Sequence, residues 1–286
     1  DFKDFVDALP LIATPDVFGL HDNATLTKDQ NDTTKLLANL LLTEGGGGGG
    51  GASNRDSTIM EVSASIESKL PPNFDMEYAQ LKYPVVKEES MNTVLCQELI
   101  RFNNLLSIMR SSLGEVQKAV KGLVVMSAEL DELGSQMFFN KIPALWKKRS
   151  YPSLKPLAGY VSDQQVRLAF FTDWLKEKPP AVFWLSGFFF TQAFLTGSAQ
   201  NFARRYVIPI DNVVWEFEMM KNDKEDFESG PDDGVYTYGL FLEGCRWDKE
   251  SHELAESAPK VLFTLAPVMH WIPMKSEDVP NYPHYK

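Results

Sequence analysis

The sequence predicts an α+β fold in which helices come first and strands last. Three observations carry this reading. Leu95, Leu99, Phe102, Leu106, Met109, Leu113, Val116, Val120 and Leu123 recur at alternating spacings of four and three, the signature of an apolar stripe along a helix. From Val213 the period drops to two: in VVWEFEMM, Trp215, Phe217 and Met219 point one way and Glu216 and Glu218 the other. Between the two regimes lies Pro179–Ala203, which carries no charged side chain but holds Phe183, Trp184, Phe188, Phe189, Phe190 and Phe194.

Taken in order, residues 1–44 show a turn around Pro15 and Gly19. A helical pattern with Leu36, Leu37, Leu40 and Leu41 follows, with Thr27 or Asp29 as its N-cap. Seven glycines follow, Gly45–Gly51. A phosphate-cradling Walker loop needs GxxxxGK[ST], and here the run leads into Ala52-Ser53-Asn54-Arg55 with no lysine, so residues 45–56 read as a flexible linker. Residues 57–205 read as a helical part. Ser57–Pro71 forms a short amphipathic helix that Pro71-Pro72 stops, and LPPNFD is a turn. The Leu95–Leu123 stripe occupies one long helix, or two if Ser111-Ser112 caps a second. It must bury itself, as the core of a helix bundle or as a docking face for a neighbour. Met126 and Met137 read as core filler. A proline-punctuated loop, SYPSLKPLAGYVSD, precedes a further helix from Asp163 with Val166, Ala169, Phe170 and Trp174 inward, ended by Lys178-Pro179-Pro180. Residues 206–286 read as β-rich: beyond VVWEFEMM and an acidic loop, GVYTYGLFLEGCRW and PKVLFTLAPVMHWI are aromatic and β-branched.

Composition excludes several functions. The protein has 286 residues and net charge −11, which argues against a nucleic-acid partner; Lys147-Lys148-Arg149 and Arg204-Arg205 are only short basic spots. A membrane span needs about 20 predominantly apolar residues. The uncharged stretch is broken by Gly187, Gly197 and several hydroxyl and amide side chains, and mean hydropathy is −0.22. Cys96 and Cys245, far apart and outside any CxxC, read as buried, reduced thiols of a cytosolic protein. His21, His252, His270 and His284 show no metal-ligand spacing, so no metal site is expected. Ser186 lacks the GxSxG frame of a nucleophile elbow. Glu243 interrupts an apolar run close to Arg246, which reads as a structural ion pair. A hydrolase built on Ser186 or Glu243 is the rival enzymatic reading, but nothing in the residues alone supports a catalytic centre.

Several long stretches resemble the C-terminal region of dynein heavy chains, especially the axonemal branch. They are TPDVFGLHDNATLT (Thr14–Thr27), EESMNTVLCQELIRFNNLLSIMRSSL (Glu88–Leu113), KAVKGLVVMSAEL (Lys118–Leu130), SYPSLKPL (Ser150–Leu157), FWLSGFFFTQAFLTGSAQNFARRYVIPID (Phe183–Asp211) and DGVYTYGLFLEGCRWD (Asp233–Asp248). The ending Tyr282-Pro283-His284-Tyr285-Lys286 is similar to the family's terminal tyrosine-lysine motif, with His284 at a position expected to be apolar. The resemblance implies the last part of a microtubule motor with a ring of six AAA+ modules, residues 1–44 closing the last module. It implies a helical part followed by a small, incomplete antiparallel β-barrel lying across the ring. It implies no catalytic residue and no cofactor in this stretch, ATP and Mg2+ being bound upstream. The implied partners are the AAA+ modules and, through the parent complex, other dynein subunits and microtubules, in the cytoskeleton of the ciliary or flagellar axoneme. In that setting Trp184–Tyr206 is expected to join the helical and β parts, with Phe183, Trp184, Phe188 and Phe189 filling the joint and Gly187 allowing close backbone approach. From Thr191 it continues as a helix with Phe194, Leu195 and Phe202 inward. Regulation of the ring, passive capping of it, and docking of an axonemal partner are the roles left open. The docking surfaces considered are the Leu95–Leu123 stripe and the acidic face around Glu216–Asp233.

Overall fold

The computed structural model describes residues 51–259 and 261–278, with Asp29, Gln30 and Thr33, which are helical. The expected Leu36–Leu41 helix, the glycines before Gly51, His21 and the terminal motif with His284 lie outside the described residues. The described residues fall into two compact units, one of 51–239 with 267–278 and one of 240–259 with 261–266.

The first unit begins with helix α1, Gly51–Lys69, which starts six residues earlier than its amphipathic pattern suggests. It buries Ile59, Ser63 and Ile66. Helix α2, Met76–Lys82, begins where Asp75 accepts the N–H groups of Glu77 and Tyr78, both at 3.0 Å. Asp75 is thus the N-cap supplied by the LPPNFD turn.

Helix α3 is a single run, Ser90–Val120. Ser112 does not cap a second helix. Its hydroxyl bonds back to the Met109 carbonyl (3.1 Å) and accepts the Trp146 indole N–H (2.8 Å), so it serves a buried contact instead. The stripe from Leu95 to Val116 is fully enclosed, which makes it core and removes it as a docking face. The pattern overshoots at its end. Leu123, 71% exposed, and Met126, 41% exposed, lie beyond the helix, whereas Met137 is core as expected.

Helix α4 (Ala128–Phe138), the short α5 (Ala144–Lys147) and α6 (Leu157–Lys176) complete this layer. Helix α6 starts at Leu157, before the expected Asp163, because Pro156 has a φ suited to helix entry and lacks only an N–H that the first turn leaves unpaired anyway. Its inward face is Tyr160, Gln164, Arg167, Leu168, Phe171, Trp174 and Leu175. Val166 and Ala169, read as inward, are exposed. Gln164 and Arg167 hid the face from a purely apolar count. No helix among the described residues is long and apolar enough to cross a membrane.

The β part is mixed. Strands β1 (Val182–Trp184), β2 (Val213–Met219), β3 (Val235–Tyr238) and β8 (Met269–Lys275) form one open sheet in the order β1-β3-β8-β2. Strand β2 pairs antiparallel with β8 from Val213↔Lys275 to Met219↔Met269. Phe217 and Trp215 share the Trp271 ring, at centroid distances of 4.8 and 6.0 Å. Strand β1 pairs with β3 in parallel, so the sheet is not purely antiparallel. Helix α7, Thr191–Arg205, follows β1 at the position expected.

In the second unit, β4 (Phe241–Glu243) pairs with β7 (Phe263–Leu265) and β5 (Cys245–Asp248) with β6 (Glu253–Glu256). These two-stranded sheets are open as well, so the described strands do not form the expected barrel-like closure. The cause is local. The two long strand patterns are cut into short pieces: one at Gly239 and Gly244, both at positive φ, and the other at Pro267, which has no N–H to donate to a ladder. Both cysteines are free, Cys96 buried but Cys245 only half-buried.

Candidate functional site

The uncharged stretch forms the centre of the first unit. Pro179-Pro180 end α6, three residues enter the sheet as β1, Leu185–Gly187 makes a 3-10 turn, and α7 begins at Thr191. This path places each aromatic against a different element. Phe183 meets Trp174 of α6 (centroids 5.2 Å) and Phe194 of α7 (4.9 Å). Phe188 meets Phe171 (5.3 Å) and Phe194 (4.7 Å). Phe189 stands edge-on to Phe102 of α3 (4.6 Å) and Tyr151 (5.4 Å). Trp184 stacks on Tyr238 of β3 at 17° and meets Phe170 of α6 edge-on. The structure therefore brings Phe183, Trp184, Gly187, Phe188, Phe189 and Phe194 together in one joint between helices and sheet. Phe190 stays outside it, half exposed.

Gly187 is needed for space. A Cβ there would stand 2.7 Å from Trp184 Cε3. Gly239 also lies against the same indole: a Cβ there would stand 2.4 Å from Trp184 Cδ1. The indole thus packs against two glycines, of which the sequence pattern singled out only the first.

Two polar residues bind this apolar centre together, and neither was expected. Glu98 of α3 has 0% exposure. Its carboxylate accepts the N–H groups of Phe189 (2.6 Å) and Phe190 (3.3 Å), which precede α7, and the Arg101 guanidinium (2.5 Å). A negative charge at a helix N-terminus is also favoured by the helix dipole. Burial pushes its pKa up, and the three donors work against that rise. Arg167 of α6 donates through Nε to Asp163 (2.7 Å) and through Nη1 to the Ser186 carbonyl (2.6 Å), with its guanidinium 3.8 Å above the Tyr151 ring. Burial pushes the neighbouring Tyr160 up to about 12, so it stays a neutral phenol bonded to Ser150. One sequence signal for Glu98 was present: a carboxylate three residues before Arg101 and directly beside Leu99 of the stripe.

Burial opposes ionisation of Asp163, but hydrogen bonds from Lys155 and Arg167 outweigh it and hold the carboxyl below its ordinary 3.8. A depressed pKa stabilises the fold above the unfolded value and ceases to do so as pH falls through the folded one. Acid titration is therefore expected to remove the stability difference between the native protein and Asp163→Asn below about pH 4, read from denaturant midpoints at each pH. A gap independent of pH would show that ionisation of Asp163 contributes nothing.

Glu243 and Arg246 are not brought together. Arg246 Nη1 bonds Asp248 Oδ1 at 2.6 Å, two residues on along the same face of β5, while Glu243 is exposed on β4. Alternation along the strand explains this: residues two apart share a face, and Gly244 at positive φ breaks the path between β4 and β5. Asp248, held by the Ser251 N–H, Arg246 and the Ser251 hydroxyl, sits at about 2. Ser186 offers the joint its carbonyl. His270 Nε2 lies 3.0 Å from the Asp233 carbonyl oxygen. Among the described residues there is no group of three or more His, Cys, Asp or Glu that could hold a metal ion. The arrangement is a packing and hydrogen-bonding device that fixes a helix layer to a sheet.

A family model described as the C-terminal domain of the dynein heavy chain matches residues 30–286. Dynein axonemal heavy chain 3 of Homo sapiens is 48% identical over 290 residues, covering 100% of this sequence and 7% of that protein. Dynein axonemal heavy chain 12 of Homo sapiens is 50% identical over 273 residues, covering 95% and 9%. Dynein axonemal heavy chain 1 of Rattus norvegicus is 44% identical over 284 residues, covering 99% and 6%. The sequence thus spans less than a tenth of the length of these relatives.

Proposed function

The protein belongs to the family of C-terminal domains of dynein heavy chains, and from that membership we propose that it is the non-catalytic regulatory element of an axonemal dynein heavy chain. The parent is an ATP-driven, minus-end-directed microtubule motor in the axoneme of cilia and flagella, with ATP and Mg2+ bound upstream of this stretch. The element packs across the AAA+ ring of its own heavy chain. Other dynein subunits and microtubules are reached through the parent complex, and neither nucleic acid nor membrane is a partner.

The observation that carries this reading is the joint. A regulatory element acts by binding one state of the ring better than another, and it shifts the equilibrium by that difference and no more. A difference of about 1–3 kcal/mol changes the equilibrium roughly 5- to 150-fold. To exert it over a distance, the element must move as one body. Interdigitated aromatic cores resist deformation, and here Glu98 and Arg167 tie the same turn to two different helices.

The test compares the parent motor with a version ending at Tyr206 and with Trp184→Ala, measuring stall force, run length and ATPase. Changed force or run length with basal ATPase retained is the expected result. Unchanged force and run length in both would make the element a passive cap or a docking module for an axonemal partner. Loss of ATPase together with loss of the ring would make it structural cement.

A further inference from the structure

Away from the joint, the start of α3 and the length of α7 enclose a groove of about 540 Å³. Its floor is close-packed: a Cβ at Gly197 of α7 would stand 3.0 Å from Val94 Cγ2 of α3. Its rim is apolar yet open to solvent, with Val85, Val86 and Phe190 at 57, 40 and 51% exposure. Among the described residues its charged lining consists of Lys87 and Arg204, with no carboxylate. That is unusual for a protein of net charge −11. Arg204 is held in place by Ser90 Oγ at 2.5 Å, and Ser90 donates to Gln200 at 2.8 Å, so the guanidinium is set by neutral partners. The nearby carboxylate of Glu89 accepts the Met91 N–H and the Asn201 amide through Oε1 and does not line the groove.

Exposed apolar surface inside a concave site marks a place for a partner. Cations lacking a carboxylate specify its sign. We propose that this groove receives an acidic, apolar peptide segment of a partner protein. Its carboxylates engage Lys87 and Arg204, and its apolar side chains cover Val85, Val86 and Phe190. The inference goes beyond the motor-tuning reading and does not depend on it.

The test uses the full 286-residue protein and three fluorescein-labelled synthetic peptides. They share one leucine-alanine framework, with glutamate, serine or lysine at the remaining positions. Fluorescence anisotropy is expected to show the glutamate peptide binding roughly tenfold or more tighter than the lysine peptide, weakening with added salt. Lys87→Glu with Arg204→Glu is expected to reverse that preference. Because Arg204 also anchors Ser90, a second variant, Thr196→Trp, fills the groove without touching either charge and is expected to abolish binding of all three peptides. No binding, equal binding of the glutamate and lysine peptides, or binding that survives Thr196→Trp would overturn the proposal. So would concentration-dependent self-association lost in Thr196→Trp, which would assign the groove to a second copy of the protein.

Discussion

Gly239→Ala is expected to destabilise the first unit by about 3–5 kcal/mol, seen as a lowered denaturant midpoint. Two costs add. The backbone at Gly239 has φ of 88°, where an L side chain is strained. The new methyl would also lie 2.4 Å from Trp184 Cδ1, 2.6 Å from Nε1 and 2.9 Å from Ser186 Oγ. Little room is left for Trp184 to shift, because Gly187 also packs against its ring and Tyr238 stacks on it. A double-mutant cycle separates the two costs. In a Trp184→Ala background the indole clash is gone and the backbone strain and the Ser186 contact remain, so the further loss from Gly239→Ala should shrink to about 2 kcal/mol. A midpoint for Gly239→Ala equal to that of the native protein would show that the indole does not pack tightly against Gly239.

The second large effect is expected at Glu98. Alanine there leaves the part-buried N–H groups of Phe189 and Phe190 without their acceptor, and a buried donor left unpaired costs about 1–3 kcal/mol. A total near 3 kcal/mol follows, with α7 loosening first because those donors precede it. Glutamine keeps one acceptor but turns its NH2 toward a donor, so Glu98→Gln should cost less than alanine, about 1–2 kcal/mol. Glutamine also weighs the charge itself. Burying a carboxylate is expensive, and a buried charge is often no better than a neutral group of its shape. If Glu98→Gln matched the native protein, the charge would contribute nothing and only the shape and one hydrogen bond would matter. Hydrogen exchange at Phe189 and Phe190 reads the same site directly: both amides should lose protection in Glu98→Ala, and retained protection would mean another acceptor replaces the carboxylate.

How much of this was legible beforehand differs by element. The long stripe of α3 announced itself because burial on one side of a helix forces a repeat of three and four, and Leu95 through Val116 obey it. The aromatic joint announced itself because large rings without a charge nearby pack inward, as five of the six do, Phe190 being the exception. The inward face of α6 did not, since Gln164 and Arg167 sit on it and read as solvent-facing. Glu98 was hidden for the same reason: a carboxylate becomes a buried acceptor only when a segment 91 residues away brings its N–H groups to it.

Reading the residues in order is enough for the α+β order, the family, the strand at Val213–Met219 and the aromatic content of the joint. Each of these follows from local periodicity or from long stretches of similar residues. Packing had to supply the rest: β1 joins the sheet in parallel beside β3, and the described strands form open sheets. Packing also put Trp184 against both Gly187 and Gly239, and Arg246 on Asp248. Strand pairing, close approach and the partner of a charge are fixed by which surfaces meet. Residues far apart in sequence meet only once the helices and the sheet have packed.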